Sequence, residues 1–326
     1  MRLTDPNIYY GKWNYPIAKE IMELQQNTTW TAQEVAVKDD IDDFRHNMSL
    51  AQRALVETIL QSFMEIEKSV GDIWFDIANW WEQPDIEMCA LEIGRMEKCV
   101  HAPFYQSMSD VLKIDPIDIY NNKQKIEPIK NKLDFIKEIF SNPNENKLVT
   151  LAALALTEQV LLFGNFAVLK SFKSNGTSLI PNTIAGVQFV ISDENLHGEF
   201  ARYLFEELLK ESSDTEILEA IRMIDKISDG VIEHEFTMID LLFKDGNTIN
   251  NIDRLDLKSF IEERTNMVLS DLGVLPKPAS DKEYMKSEVA QWFYDDVNGI
   301  RSFDFFAATG NQYVRDWTKN KFKWKK

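Results

Sequence analysis

Two cysteines, Cys89 and Cys99, are too few for a disulfide framework, so the expected compartment is a reducing cytoplasm. Glycine and proline are also scarce, at 12 and 10 in 326 residues. A many-stranded β fold needs turn signals about every 8 to 12 residues, and the chain does not supply them. Positive charge is short as well: 36 basic residues face 53 acidic ones, a formal charge of −17. Such an excess repels polyanions and argues against a nucleic-acid or anionic-membrane partner. No linker rich in Pro, Gly or Ser divides the chain, no short-period repeat appears, and the first residues lack the apolar core of a signal peptide.

What is present is apolar and long-ranged. Hydrophobic residues make up 44% of the chain, in segments free of helix breakers. The stretch 148–169 is apolar enough to raise the question of a membrane span. Glu158 lies near its middle, with Gln159 beside it and Asn165 further on, so it reads as a buried core helix and no membrane is expected. Helical patterns predict elements at roughly 49–80, 85–112, 126–141, 146–173, 180–211, 213–243, 252–271 and 282–296. The stretch before residue 28 is mixed and aromatic, and an acidic connector follows it at 38–43. Several of these helices exceed the usual length of about 11 to 12 residues, which implies an all-α bundle sharing one elongated core. The expected division is an N-terminal extension over 1–29, a helical domain over 30–305 and a flexible tail over 306–326. That tail is basic and aromatic on an acidic protein, as a docking segment would be.

Chemistry should sit in the core. His101 and Tyr105 are four apart, and Glu194 and His197 three apart, so each pair shares one helix face. Glu158 is set in a run where seven of the ten residues from 154 to 163 are strongly apolar, and Glu67 also has apolar company. Buried carboxylates cost several kcal/mol each unless paired or bound to a cation. A di-metal centre relieves that cost with one Glu from each of two helices and a Glu-x-x-His from each of two more. Oxygen-rich ligation with imidazole suits iron or manganese. His46, His234, Glu65, Glu82, Glu87 and Glu92 read as ordinary core or surface residues.

Over about residues 30–313 the sequence resembles the small subunit of class I ribonucleotide reductase, whose fold is a ferritin-like bundle. The resemblance implies that Glu67, His101, Glu158, Glu194 and His197 ligate the metal. It makes Tyr105 the radical position, with Trp30, Asp193 and His101 as the inner part of an electron and proton relay. Phe166 and Val190 would shield the tyrosine, and Tyr313, Trp317 and Trp324 are candidates for the outer relay. A large catalytic subunit, a homodimer and a flavoprotein activase are the implied partners.

One position departs from the family pattern. Lys98 stands where a bridging glutamate is expected, and an ammonium cannot bridge two cations. Three outcomes follow. In the favoured one, Lys98 pairs with Glu67 or Glu194 and replaces one metal, so that one ion or none is bound and Tyr105 carries the radical either unmodified or in a modified form; replacing Lys98 by Glu should then raise metal occupancy. In the second, a π-bulge brings Glu97 in as ligand. In the third, the site is dead or altered for another role. The rival functions are a ferritin-like oxidase or monooxygenase acting on a small substrate, and a metal-storing or structural helical protein.

Overall fold

The structure is a computed structural model that describes residues 2–7, 9–115, 117, 126–173, 178–278 and 287–293. Within these residues the helices are α1 (Pro16–Asn27), α2 (Leu50–Ile77), α3 (Pro84–Met96), α4 (Ala102–Leu112), α5 (Glu127–Ile139), α6 (Lys147–Gln159), α7 (Phe163–Lys170), α8 (Pro181–Leu209), α9 (Asp214–Leu242) and α10 (Arg254–Asp271). Proline occupies the first turn of α1, α3, α5 and α8, where its missing N–H costs nothing. Capping boxes open α2 and α9, with Ser49 and Gln52 exchanging bonds at one and Ser213 and Glu216 at the other. The start of α8 is held from afar. Asp40 accepts the Asn182 and Thr183 N–H groups and Asp43 that of Ile180, whose φ of +47° is a strained value for a β-branched residue.

The all-α expectation holds. The strands described are two-residue pieces, Thr248–Ile249 and Ile252–Asp253, joined through Asn250 and Asn251 at positive φ. Three details depart from the predicted elements. Residues 16–27, assigned no element from the sequence, form α1, which packs on α3 and α8. The predicted helix 146–173 is broken at 160–162. The predicted helix 85–112 contains a π-turn, Glu97–His101.

α6 lies along α8 and against α9 and α10, while α2 packs against α3 and α4. Within the apolar stretch Lys147–Lys173, residues 148–172 are all buried within the protein, as a core helix rather than a membrane span would be. Its burial places Glu158 in the middle of the bundle. Residues 294–326 lie outside the described residues, and with them Tyr313, Trp317, Trp324 and the basic tail.

Candidate metal centre

Four helical segments deliver the site. α2 carries Glu67, and on the same face, four and seven residues later, Gly71 and Trp74. α6 carries Glu158 one residue before its end, and α8 carries Asp193, Glu194 and His197. The fourth segment is the π-turn, in which the Ala102 N–H bonds to the Glu97 carbonyl five residues back. Proline 103 explains why the turn widens here. It has no N–H to offer the carbonyl of Cys99, and its ring would press on that carbonyl in a regular helix. The extra residue lets Glu97 and His101, four apart, face the same point that a Glu-x-x-His pair would face in an α-helix.

Glu67, Glu97, His101, Glu158, Glu194 and His197 are each at most 1% exposed. Their ligand atoms form two groups: Glu67, Glu97, His101 and Glu194 in one, and Glu97, Glu158, Glu194 and His197 in the other, each within 4.8 Å of one another. Glu97 and Glu194 belong to both. His101 Nδ1 lies 3.1 Å from Glu194, 3.2 Å from Glu97 and 3.5 Å from Glu67. His197 Nδ1 lies 2.6 Å from Glu97, 3.6 Å from Glu194 and 4.0 Å from Glu158.

Lys98 does not join this cluster, which corrects the favoured expectation. Its ammonium pairs with Asp72 and sits 5.2 Å from the centre of the Phe75 ring, while its stem runs over Gly71. The π-turn rotates residue 98 outward as it rotates residue 97 in. The reason for expecting one metal or none therefore disappears.

Each imidazole turns its other nitrogen outward to a fixed acceptor. His101 Nε2 donates to Asp193 Oδ2 at 3.0 Å and His197 Nε2 to Gln25 Oε1 at 3.1 Å, which leaves Nδ1 of both rings aimed at the cluster. Asp193 also accepts from Trp30 Nε1 at 2.8 Å and from Gln25 Nε2 at 2.9 Å. Trp30 lies nearly parallel to the His101 ring, 5.9 Å away. On the opposite side, Trp74 Nε1 donates to Glu158 Oε1 at 2.7 Å.

Tyr105 is fully buried, and its hydroxyl has no hydrogen-bond partner. Phe63 packs 4.9 Å from its ring and Phe104 5.3 Å, with Phe166 behind Phe63. Burial, then the charge of Glu67, pushes the phenol well above its usual pKa, so it keeps its proton.

The electrostatics are those of a cation site. Burial raises Glu67 and Glu158 well above the carboxylate range, and the charges of Glu194 and Glu97 add to it. Burial would do the same to Glu97, but His101 and its other neighbours outweigh that and hold it low. Burial pulls His197 down, yet Glu97 and Glu194 push it up to about 9. Oxygens of Glu67, Glu97, Glu158 and Glu194, and Nδ1 of His197, are buried without a hydrogen-bond partner. Unmet acceptors in a dry interior are costly, and a convergent set of them fits a pair of divalent cations.

Glu97, Gln25 and Trp74 are the members of this arrangement that spacing alone misses or leaves open. Proline 103 inside a helical pattern was the available signal for Glu97. Gln25 and Trp74 have none, since both look like ordinary helix residues.

A family model described as "Ribonucleotide reductase, small chain" matches residues 7–280. A probable ribonucleoside-diphosphate reductase small subunit of Invertebrate iridescent virus 3 is 21% identical, covering 97% of this chain and 88% of its own. The ribonucleoside-diphosphate reductase subunit beta of Treponema pallidum is 22% identical, covering 94% and 87%. Among solved structures, the dimanganese(II) NrdF of Streptococcus sanguinis superposes with a TM-score of 0.75 at 20% identity, covering 87% of this chain and 98% of that one.

Proposed function

We propose, from the premise that this chain belongs to the ribonucleotide reductase small-chain family, that it holds a tyrosine-derived radical and passes its oxidising equivalent to a large catalytic subunit that reduces ribonucleoside diphosphates. The observation that carries this reading is the pair of four-ligand groups sharing Glu97 and Glu194 beside a buried, unpartnered phenol. Glu67, Glu97, His101, Glu158, Glu194 and His197 would hold two ions of iron or manganese, which supply one-electron oxidising power when bound.

The chain's own groups account for the rest. Tyr105 must lose a proton as well as an electron, and Glu67 is the carboxylate whose charge bears on it most. Phe63, Phe104 and Phe166 exclude the water and small reductants that would quench the oxidised ring. Trp30, Asp193 and His101 form a continuous hydrogen-bonded line leading away from the cluster. That line suits coupled movement of a proton and an electron. The remaining steps would run through Tyr313 or a tail tryptophan to the partner. We read the working form as a homodimer in the cytoplasm.

The test is electron paramagnetic resonance after loading with Fe(II) or Mn(II) and exposure to oxygen, with and without a flavoprotein activase. A tyrosyl-type signal should form in the natural protein and vanish in Tyr105→Phe while metal content stays the same. A signal that survives in Tyr105→Phe sinks the assignment of the radical. Diphosphate reduction should require the large subunit.

A further inference from the structure

α6 stops one residue after Glu158, and α7 begins only at Phe163. In the break, the N–H groups of Val160 and Leu161 both turn back on the Leu156 carbonyl, and that of Phe163 takes the Val160 carbonyl. Two other carbonyls of the break are met by buried cations. Arg264 of α10 donates Nε–H to the Gln159 carbonyl at 2.6 Å, and the Lys132 ammonium of α5 donates to the Leu161 carbonyl. Arg264 is 1% exposed and Lys132 0%. Guanidinium groups are seldom so completely buried unless something specific holds them there.

What Arg264 touches is informative. Its guanidinium lies 3.4 Å from the centre of the Phe163 ring, and Nη2 reaches Asn195 Oδ1 at 3.3 Å. Gln159 in turn donates from Nε2 to the Asn195 carbonyl at 3.2 Å. Gln159 follows Glu158, and Asn195 follows Glu194. A single planar cation therefore ties the backbone next to one cluster carboxylate to the side chain next to another, on facing helices. The helices are close here: a Cβ at Gly198 would collide with the Gln159 side chain. Lys132 pins the far side of the break, where its buried partner Glu235 also accepts the Gly164 N–H in the first turn of α7.

We propose that Arg264, seconded by Lys132, is a positioning residue for Glu158: by satisfying the carbonyls of the α6–α7 break it fixes the helix end from which Glu158 reaches the second metal position. The Gln159 carbonyl that Arg264 holds belongs to the residue after Glu158, so this bond anchors the last turn of α6, from which Glu158 projects. The proposal rests on Glu158 being a metal ligand, and the experiment separates the two claims.

The full-length protein is labelled with 15N at the tryptophan indoles. The Trp74 signal, assigned by its loss in Trp74→Phe, reports the bond to Glu158 without any metal. Mn(II) binding is titrated in parallel by the loss of the free-ion resonance signal. In Arg264→Met we expect the Trp74 signal to move and one Mn(II) to bind about tenfold to a hundredfold more weakly, as when other groups that orient ligands are removed. Arg264→Lys, with a compact ammonium in place of a planar fork, should fall between. Should Arg264→Met not fold, the charge-free pair Lys132→Met/Glu235→Leu leaves the Leu161 carbonyl uncapped and should give the same signs. A folded variant with an unmoved Trp74 signal and natural affinity for both ions, changed only in melting temperature, overturns the proposal. If the natural protein takes up no Mn(II), the metal reading fails, and the Trp74 signal alone then decides whether Arg264 sets Glu158.

Discussion

Glu97 Oε1 lies 2.6 Å from His197 Nδ1, yet the two atoms are not aligned for a hydrogen bond and neither has another such partner. Two polar atoms on different helical segments thus face one another across the centre of the cluster. Such a contact is compensated either by a proton on His197, whose pKa Glu97 and Glu194 push up to about 9, or by a cation that both groups ligate.

The first prediction concerns this pair against its neighbour in sequence. Glu97→Ala should lower the metal content from about two ions per chain to one or none, because Glu97 belongs to both ligand groups. Lys98→Glu and Lys98→Ala should leave it unchanged, since Lys98 faces Asp72. Elemental analysis of desalted protein checks both. Metal content that responds to Lys98 and not to Glu97 would return the lysine to the site.

Gly71 predicts a second outcome, from close approach. A Cβ there would lie 2.9 Å from Lys98 Cγ and 3.1 Å from Glu97 Cβ, so α2 can meet the π-turn only at a residue without a side chain. Gly71→Ala should destabilise the fold by about 1–3 kcal/mol, the usual range for overpacking. It should also weaken metal binding, because it pushes on Glu97. Removing most of the Lys98 stem in Gly71→Ala/Lys98→Ala should recover part of the stability, measured by chemical denaturation.

How far the sequence could be read depended on the regularity of the helix that carries each residue. Glu194 and His197 sit in an unbroken helix, where a spacing of three translates directly into adjacency, and Glu158 was exposed by the apolar run around it. Tyr105 follows His101 by four, beyond the irregular turn, and is buried. Glu97 entered only as the second of three outcomes, through a π-bulge, because spacing arguments assume about 3.6 residues per turn and the π-turn violates that assumption. The lysine one residue on then took its place in the motif. Gln25 was hidden for a different reason: its role depends on where α1 docks, and tertiary packing leaves no mark on local periodicity. The break after Gln159 is similarly silent, since its carbonyls are met by Lys132 and Arg264 from helices distant in sequence.

A third prediction separates making the radical from exporting it. Asp193 accepts from Trp30, His101 and Gln25 together. Asp193→Asn would set an amide donor among those three donors, breaking the line while leaving the ligand atoms in place. The Tyr105 signal should stay within about twofold, whereas turnover with the large subunit should fall by roughly two orders of magnitude, the upper range for loss of a group that orients a ligand. Equal losses of signal and turnover would show that Asp193 serves the metal centre alone.

The last prediction concerns what the buried pair Lys132 and Glu235 contributes to stability. Both side chains are at most 2% exposed, and burial raises the Glu235 pKa, with Lys132 and the Gly164 N–H opposing that rise. Lys132→Met leaves Glu235 without its cation and the Leu161 carbonyl without its donor. Breaking a buried pair in this way usually costs about 3–5 kcal/mol. In Lys132→Met/Glu235→Leu the stranded charge is gone, so most of that loss should return, and what remains measures the uncapped carbonyl and the Gly164 N–H, about 1–3 kcal/mol each at most. Urea denaturation of the two variants checks the order. If the double variant is no more stable than the single one, the charge on Glu235 is not the source of the penalty, and the hydrogen bonds at the α6–α7 break carry the whole contribution.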